Sequence, residues 1–158
     1  LSKKIIDLDL IELNYKAENK EEIIGRLSEL LQKKGKVKAT FKEAVLEREK
    51  VFPTGLKTKH ITFALPHTDP EHVNETGIAV AVLENTVKFS SMDNASKILD
   101  VNTIVVMAVK DKSKQVTVLQ NLISMMQDKK ITEEIQSSKD KTDILKIFKK
   151  NLFQNIED

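Results

Sequence analysis

The chain has 158 residues, enough for one domain with a real hydrophobic core, and is 40% hydrophobic, which excludes disorder over most of its length. It has no cysteine and no tryptophan, and aromatics make up 4%, so disulfides, thiolate zinc sites and a base-stacking platform for single-stranded nucleic acid are excluded. Charged residues reach 32% but the net charge is +2, with lysines interspersed among acids, so a solvated mixed-charge surface is expected and a nucleic-acid partner is not.

The first residues, Leu1 to Asp7, lack the apolar core of a signal peptide. No run approaches the roughly 18 apolar residues of a membrane span, so no direct membrane insertion is expected. The absence of cysteine fits a reducing cytoplasm, where the protein is expected to work. A start at Leu1 is what a trimmed chain or a piece of a longer one would have.

Apolar and polar residues alternate after Ile11 and predict a strand near 10–15. Asn19 and Glu22 have capping-box spacing, and Ile23, Ile24, Leu27, Leu30 and Leu31 mark one face of a helix over 20–33 that Gly35 closes. Thr40 and Glu43 repeat the capping spacing before a helix over 41–50, with Phe41, Ala44, Val45 and Val51 expected inward. Phe52-Pro53-Thr54-Gly55-Leu56 breaks that helix, because proline lacks an amide hydrogen and glycine permits a turn. A loop then leads to a strand at 61–65. Gly77 to Leu83 is a nearly continuous apolar run, as in a strand buried on both faces, and Val87-Lys88-Phe89 adds a short edge strand. A surface loop is expected over 90–100 and a second buried strand over 103–109. Ser113 is the expected N-cap of a helix over 114–127, and shorter helices follow near 131–137 and 141–152. Strands and helices interleave, with no internal repeat and no linker, so the pattern is a single α/β domain.

The three histidines, His60, His67 and His72, all lie within thirteen residues, and His67 follows a proline at the end of a strand. Three readings compete for it: a loop residue with satisfied bonds, a metal ligand, or a nucleophile. The spacings of seven and five residues match no common zinc pattern, and no HExxH helix is present. No serine–histidine–aspartate set or glycine-rich phosphate loop is visible. A neutral imidazole is a good nucleophile near pH 7. A phosphate-carrying histidine needs only a fixed orientation, a nearby positive charge and an exposed ring. On the residues alone, the loop reading and the nucleophile reading both stay open.

Arg48-Glu49 at a helix end, then Phe52-Pro53-Thr54-Gly55-Leu56, then Ala64-Leu65-Pro66-His67-Thr68-Asp69 form an ordered set across roughly 25 residues. This set resembles the EIIA domains of the bacterial phosphoenolpyruvate:sugar phosphotransferase system, within their fructose–mannitol superfamily. The Pro-His-Thr-Asp form with Glu71-His72-Val73-Asn74 behind it is most similar to the galactitol-type branch. The resemblance covers nearly the whole chain. It implies one domain over 1–158, with a mixed β-sheet of about five strands flanked by helices on both faces.

The resemblance also implies a cycle. His67 accepts a phosphoryl group from phospho-HPr and passes it to a sugar-specific EIIB, usually to a cysteine. This serves coupled uptake and phosphorylation of a sugar, galactitol or a related one, through the EIIC membrane permease. No metal, cofactor or nucleotide takes part. The family arginine maps onto Arg48, whose permanently charged, forked guanidinium suits a phosphoryl dianion. Many relatives carry a second histidine at the start of the helix after the 103–109 strand; aligning Lys114 to Gln120 with that segment puts Gln115 in its place. Glutamine donates a neutral hydrogen bond but cannot hold a proton's charge. Pro66 restricts Leu65 and fixes the strand exit, and Thr68 and Asp69 are expected to shape the loop. The ring should be neutral, with one nitrogen free and the other donating to an acceptor that the sequence does not name. Val51, Phe52, Leu56 and Val73 are the expected apolar rim for partner docking around a recessed His67, while His60 and His72 are expected on the surface. The rival reading is an EIIA-like phosphorylation sensor that regulates a protein partner.

Overall fold

The computed structural model describes residues 5–153. Its strands are β1 (Ile11–Tyr15), β2 (Gly55–Lys57), β3 (Thr62–Ala64), β4 (Gly77–Ser90) and β5 (Ile98–Ala108). Its helices are α1 (Lys20–Lys33), α2 (Phe41–Val51), α3 (Lys112–Gln127), α4 (Lys129–Gln136) and α5 (Lys141–Asn151). The strands form one mixed sheet in the order β1-β4-β5-β3-β2. β1 runs parallel to β4 and β3 parallel to β5, whereas β4 with β5 and β2 with β3 are antiparallel.

The period-2 geometry of the strands sorts the core into two layers. On one face Ala79, Ala81 and Leu83 of β4, Ile104 and Val106 of β5, and Ala64 of β3 pack with Ile23, Ile24, Leu27 and Leu31 of α1 and Phe41 and Val45 of α2. On the other, Ile78, Val80 and Val82, Val105 and Met107, and Phe63 and Leu65 pack with residues of α3, α4 and α5, among them Leu122, Met126, Ile135, Ile144 and Phe148. Helices therefore cover both faces of the five-stranded sheet. Burying a side chain such as Phe63 or Phe148 contributes about 2–3 kcal/mol each.

Helix α1 matches its expected span. Asn19 accepts from the Glu22 amide at 2.8 Å, and Gly35 takes φ +77°, the left-handed stop that a side chain would resist. Six local expectations are corrected. The Thr40 cap does not form: Thr40 has helical backbone angles (φ −80°, ψ −11°), and its hydroxyl pairs with His72 Nδ1 at 2.8 Å instead. Helix α3 is capped two residues early by Asp111, whose carboxylate takes both the amide and the hydroxyl of Ser113, at 2.9 and 2.7 Å. Val51 is 68% exposed, because the buried stripe of α2 runs through Phe41, Val45 and Glu49. The expected 90–100 loop is shorter, since β4 and β5 form one long hairpin in which Val87–Ser90 pairs with Ile98–Val101. Hence the expected edge strand at 87–89 is the continuation of β4. The three-residue β2, too short to show a period, lies where only a loop is expected.

The topology brings three chain segments to one edge of the sheet. β3 and β5 are parallel, so the loop after β3 and the start of α3 after β5 emerge side by side. β2 is antiparallel to β3 with Gly55 opposite Ala64, which puts the end of α2 and the start of β2 at that same edge.

Candidate functional site

His67 sits at this edge. The β3–β5 register carries on past the strand, with Phe63 opposite Thr103, Ala64 opposite Ile104 and then His67 opposite Met107. The Pro66 carbonyl accepts from the Met107 amide at 3.1 Å. Pro66 is buried and has no amide hydrogen of its own to satisfy. The chain is thus pinned to β5 one residue before the histidine, and the His67 ring is partly exposed.

The ring is oriented from within its own segment. Nδ1 lies 2.6 Å from the Leu65 carbonyl oxygen. A carbonyl only accepts, so Nδ1 carries the proton and Nε2 holds the free lone pair. Burial pushes the His67 pKa below its ordinary value, and the Arg48 charge adds to that; the bond to Leu65 and the Asp69 charge oppose it. The ring is therefore neutral at pH 7.

Arg48 comes from the last turn of α2, where a cation complements the helix dipole. Its guanidinium carbon stacks 4.9 Å from the Phe52 ring centroid. It makes no ion pair with a carboxylate among the described residues, and its Nε is buried with no hydrogen-bond partner. A buried donor left unpaired costs about 1–3 kcal/mol, and no described residue supplies an acceptor for this one. Gln115, in the first turn of α3, donates through Nε2 to the Thr68 carbonyl at 3.2 Å. The structure thus brings Arg48 and Gln115 to the His67 segment from two different helices.

Thr68 is buried, and its carbonyl takes that bond. Asp69 is exposed and caps the short turn Pro70–His72 without a side-chain bond; its carbonyl accepts from the His72 amide at 3.3 Å. Of the expected docking rim, Val51 and Phe52 are 68% and 59% exposed. Leu56 is half-buried against the core. Val73 is a correction: it is fully buried among α1 and α2 residues and cannot belong to a rim, because its amide closes the Pro70 turn and carries its side chain inward. His60 and His72 are half-buried, and His72 is engaged with Thr40.

Two residues of the quoted motif to which the sequence reading gave no role, Glu49 and Thr54, are hydrogen-bonded to each other next to the His67 segment. Glu49 is buried, and burial pushes its carboxyl up to about 7, although two bonds from Thr54 and the charges of Lys20 and Arg48 pull the other way. Its oxygens accept from the Thr54 amide and hydroxyl, both at 2.8 Å. The signal was present in the sequence: Phe41, Val45 and Glu49 recur every fourth residue, so a carboxylate falls on a buried helical stripe. Among the described residues no group of three or more histidine, aspartate and glutamate side chains is placed to hold a metal ion. No described helix is long and apolar enough to cross a membrane.

Comparison with known proteins adds the chemistry. The family model for "Phosphoenolpyruvate-dependent sugar phosphotransferase system, EIIA 2" matches residues 4–151. The galactitol-specific EIIA component of Escherichia coli (strain K12) is 25% identical over 117 residues, 74% of this chain and 77% of the relative. The crystal structure of IIA mannitol from Escherichia coli superposes with a TM-score of 0.73 at 25% identity, covering 90% of this chain and 97% of that one. The complex of enzyme IIA mannitol with phosphorylated enzyme IIB mannitol from the same organism superposes at 0.75, with 24% identity and coverage of 92% and 98%.

Proposed function

The chain belongs to the EIIA 2 family of phosphoenolpyruvate-dependent sugar phosphotransferase systems, whose members carry phosphoryl groups, and from that premise we propose that its acceptor is Nε2 of His67. The observation that carries this is the bond from His67 Nδ1 to the Leu65 carbonyl, which leaves Nε2 unprotonated on a neutral ring.

In this cycle the Nε2 lone pair attacks the phosphorus of phospho-HPr. The P–N bond in the donor breaks, and its electron pair returns to the donor's histidine. No proton leaves Nε2, so no general base is needed, and positioning and charge compensation carry the step. Arg48 supplies the charge: its orphaned Nε and forked guanidinium donate to the phosphoryl oxygens. Gln115 keeps the loop after His67 in place through Thr68 and offers a neutral donor at the site's edge. The group then passes to an EIIB, as an attacking cysteine sulfur displaces Nε2 at phosphorus. The sugar taken up with EIIC is galactitol or a related one, in keeping with the galactitol-specific relative. Val51 and Phe52 form the apolar rim against which HPr and EIIB dock in turn. One EIIA domain over 1–158 fits the family match to residues 4–151, and the lack of cysteine suits a reducing cytoplasm.

The test is transfer itself. The chain is incubated with phosphoenolpyruvate, enzyme I and HPr, and the label is located by mass spectrometry under mildly alkaline conditions. A single label on His67, absent from folded His67→Ala, is expected. A label that survives His67→Ala contradicts the assignment.

A further inference from the structure

We propose that Thr54 and Glu49 are positioning residues for His67, acting through the backbone of Leu65 to fix which ring nitrogen is free. Leu65 is held at both of its polar ends. Its carbonyl accepts from His67 Nδ1 at 2.6 Å, and its amide donates to the Thr54 hydroxyl oxygen at 3.1 Å. The β2–β3 ladder pairs Gly55 with Ala64, so the next pair outward would be Thr54 and Leu65. There the ladder stops and the Thr54 side chain takes over the bond.

With Glu49 ionised, as at pH 8, the direction of that bond is not free. A hydroxyl has one proton, and Thr54 donates it to Glu49 Oε1 at 2.8 Å. The oxygen is left with lone pairs only, which is what the Leu65 amide needs. Glu49 Oε2 accepts from the Thr54 amide at 2.8 Å, so the carboxylate grips Thr54 at two points. On the far side, the Pro66 carbonyl is tied to Met107. The Leu65–Pro66 peptide is thus clamped between β2 and β5, and its carbonyl oxygen points where His67 Nδ1 needs an acceptor. Both Glu49 and Thr54 are buried, so water does not compete for these bonds. Without the clamp the carbonyl would tilt, the Nδ1 proton would lose its fixed partner, and the ring would populate the other tautomer, in which Nε2 is protonated and inert as a nucleophile.

The rate consequence rests on the reading of His67 as the phosphoryl acceptor; the tautomer consequence does not. The experiment therefore reads both on the full chain. Ring-nitrogen NMR of 15N-histidine-labelled protein at pH 8 gives the His67 tautomer ratio, and single-turnover transfer from phospho-HPr gives the rate. In Thr54→Val, which keeps shape but removes the hydroxyl, the Nδ1–H fraction is expected to fall. Acceptance should slow on the order of 10- to 100-fold, with the HPr concentration dependence unmoved. Thr54→Ser should restore both. If Thr54→Val does not fold, Glu49→Gln carries the test: its amide keeps one acceptor, turns a donor toward Thr54, and should shift the tautomer ratio the same way. A folded Thr54→Val with the wild-type tautomer ratio overturns the proposal. So does a Thr54→Ser as impaired as the valine variant, because packing alone would then explain the loss. A wild type with a dominant Nδ1–H tautomer but no label on His67 overturns the acceptor reading and leaves the positioning role standing.

Discussion

His67 Nδ1 and the Leu65 carbonyl oxygen, two residues apart in the same chain, meet at 2.6 Å. The acceptor is a backbone carbonyl, which does not itself titrate. The tautomer of the ring is therefore set by the strand exit and by whatever holds the Leu65 carbonyl in place.

The first prediction concerns that ring. Its pKa is lowered by burial and, next, by Arg48, so its NMR titration is expected to have a midpoint below 6.5, the ordinary value. Arg48→Met should raise the midpoint without bringing it to the ordinary value, because burial remains. The linked effect on stability has a definite sign. The unfolded histidine takes its proton first as pH falls, so stability present above the ordinary value is lost as pH drops through it toward the folded value. A midpoint at or above the ordinary value contradicts the description of the site.

Arg48 should separate function from stability. Arg48→Met is expected to lower phosphoryl acceptance on the order of 10²–10³-fold, the size of losing one preorganised oxyanion donor. Its stability should change by no more than about 1 kcal/mol: the variant gives up a ring contact with Phe52 but also removes an unpaired buried nitrogen. Arg48→Lys keeps the charge and loses the fork, so its rate should fall between the two. Denaturant unfolding and transfer rates on the same preparations check both parts, and a large stability loss with an intact rate would count against the role given to Arg48.

Glu49 gives a prediction about pH. Its carboxyl moves from 4.5 to about 7 on folding, so between those values the folded chain holds a proton that the unfolded chain has lost. Stability from this group falls as pH rises through that window, by about 3 kcal/mol in all, and is flat above it. Glu49→Gln removes the titration. The stability of the variant relative to wild type should therefore improve by about that amount between pH 4.5 and pH 8, as read from urea midpoints. A difference that does not vary with pH would show that Glu49 ionises normally.

Gly55 tests the close seating of β2. A Cβ built there would lie 2.7 Å from the Ser90 carbonyl oxygen, so either β2 or the end of β4 must move. Gly55→Ala is expected to cost about 1–3 kcal/mol. Because Thr54 is next to it, the same variant should slow phosphoryl acceptance; a fully stable and active Gly55→Ala would mean that the strand has room to shift.

Much of the fold was legible because burial imposes a period. The face of α1, the continuous apolar runs in β4 and β5, and the left-handed stop at Gly35 each follow from local chemistry. What was not legible depends on partners distant in sequence. The Thr40 hydroxyl bonds His72 across 32 residues rather than capping its own helix. β2 exists only because β3 pairs with it, and the start of β5 at residues 98–100 reads as loop until it is seen paired with the end of β4. At the candidate site, the sequence draws attention to His67, and Arg48 and Gln115 come only from the resemblance to a family. The acceptor for Nδ1 could not be named, because any of 158 carbonyls is chemically equivalent in a sequence. Val73 illustrates the opposite case: an apolar residue beside the motif reads as surface, although it lies buried in the core just after a tight turn.

The most direct test of the central claim is to determine which nitrogen of His67 bears phosphate. Protein labelled with 15N-histidine is phosphorylated through phospho-HPr and examined by 15N–31P correlation at alkaline pH. Phosphorus coupled to Nε2 is expected, with Nδ1 still protonated and bonded to Leu65. Phosphorus on Nδ1 of His67, or on another residue, would contradict it.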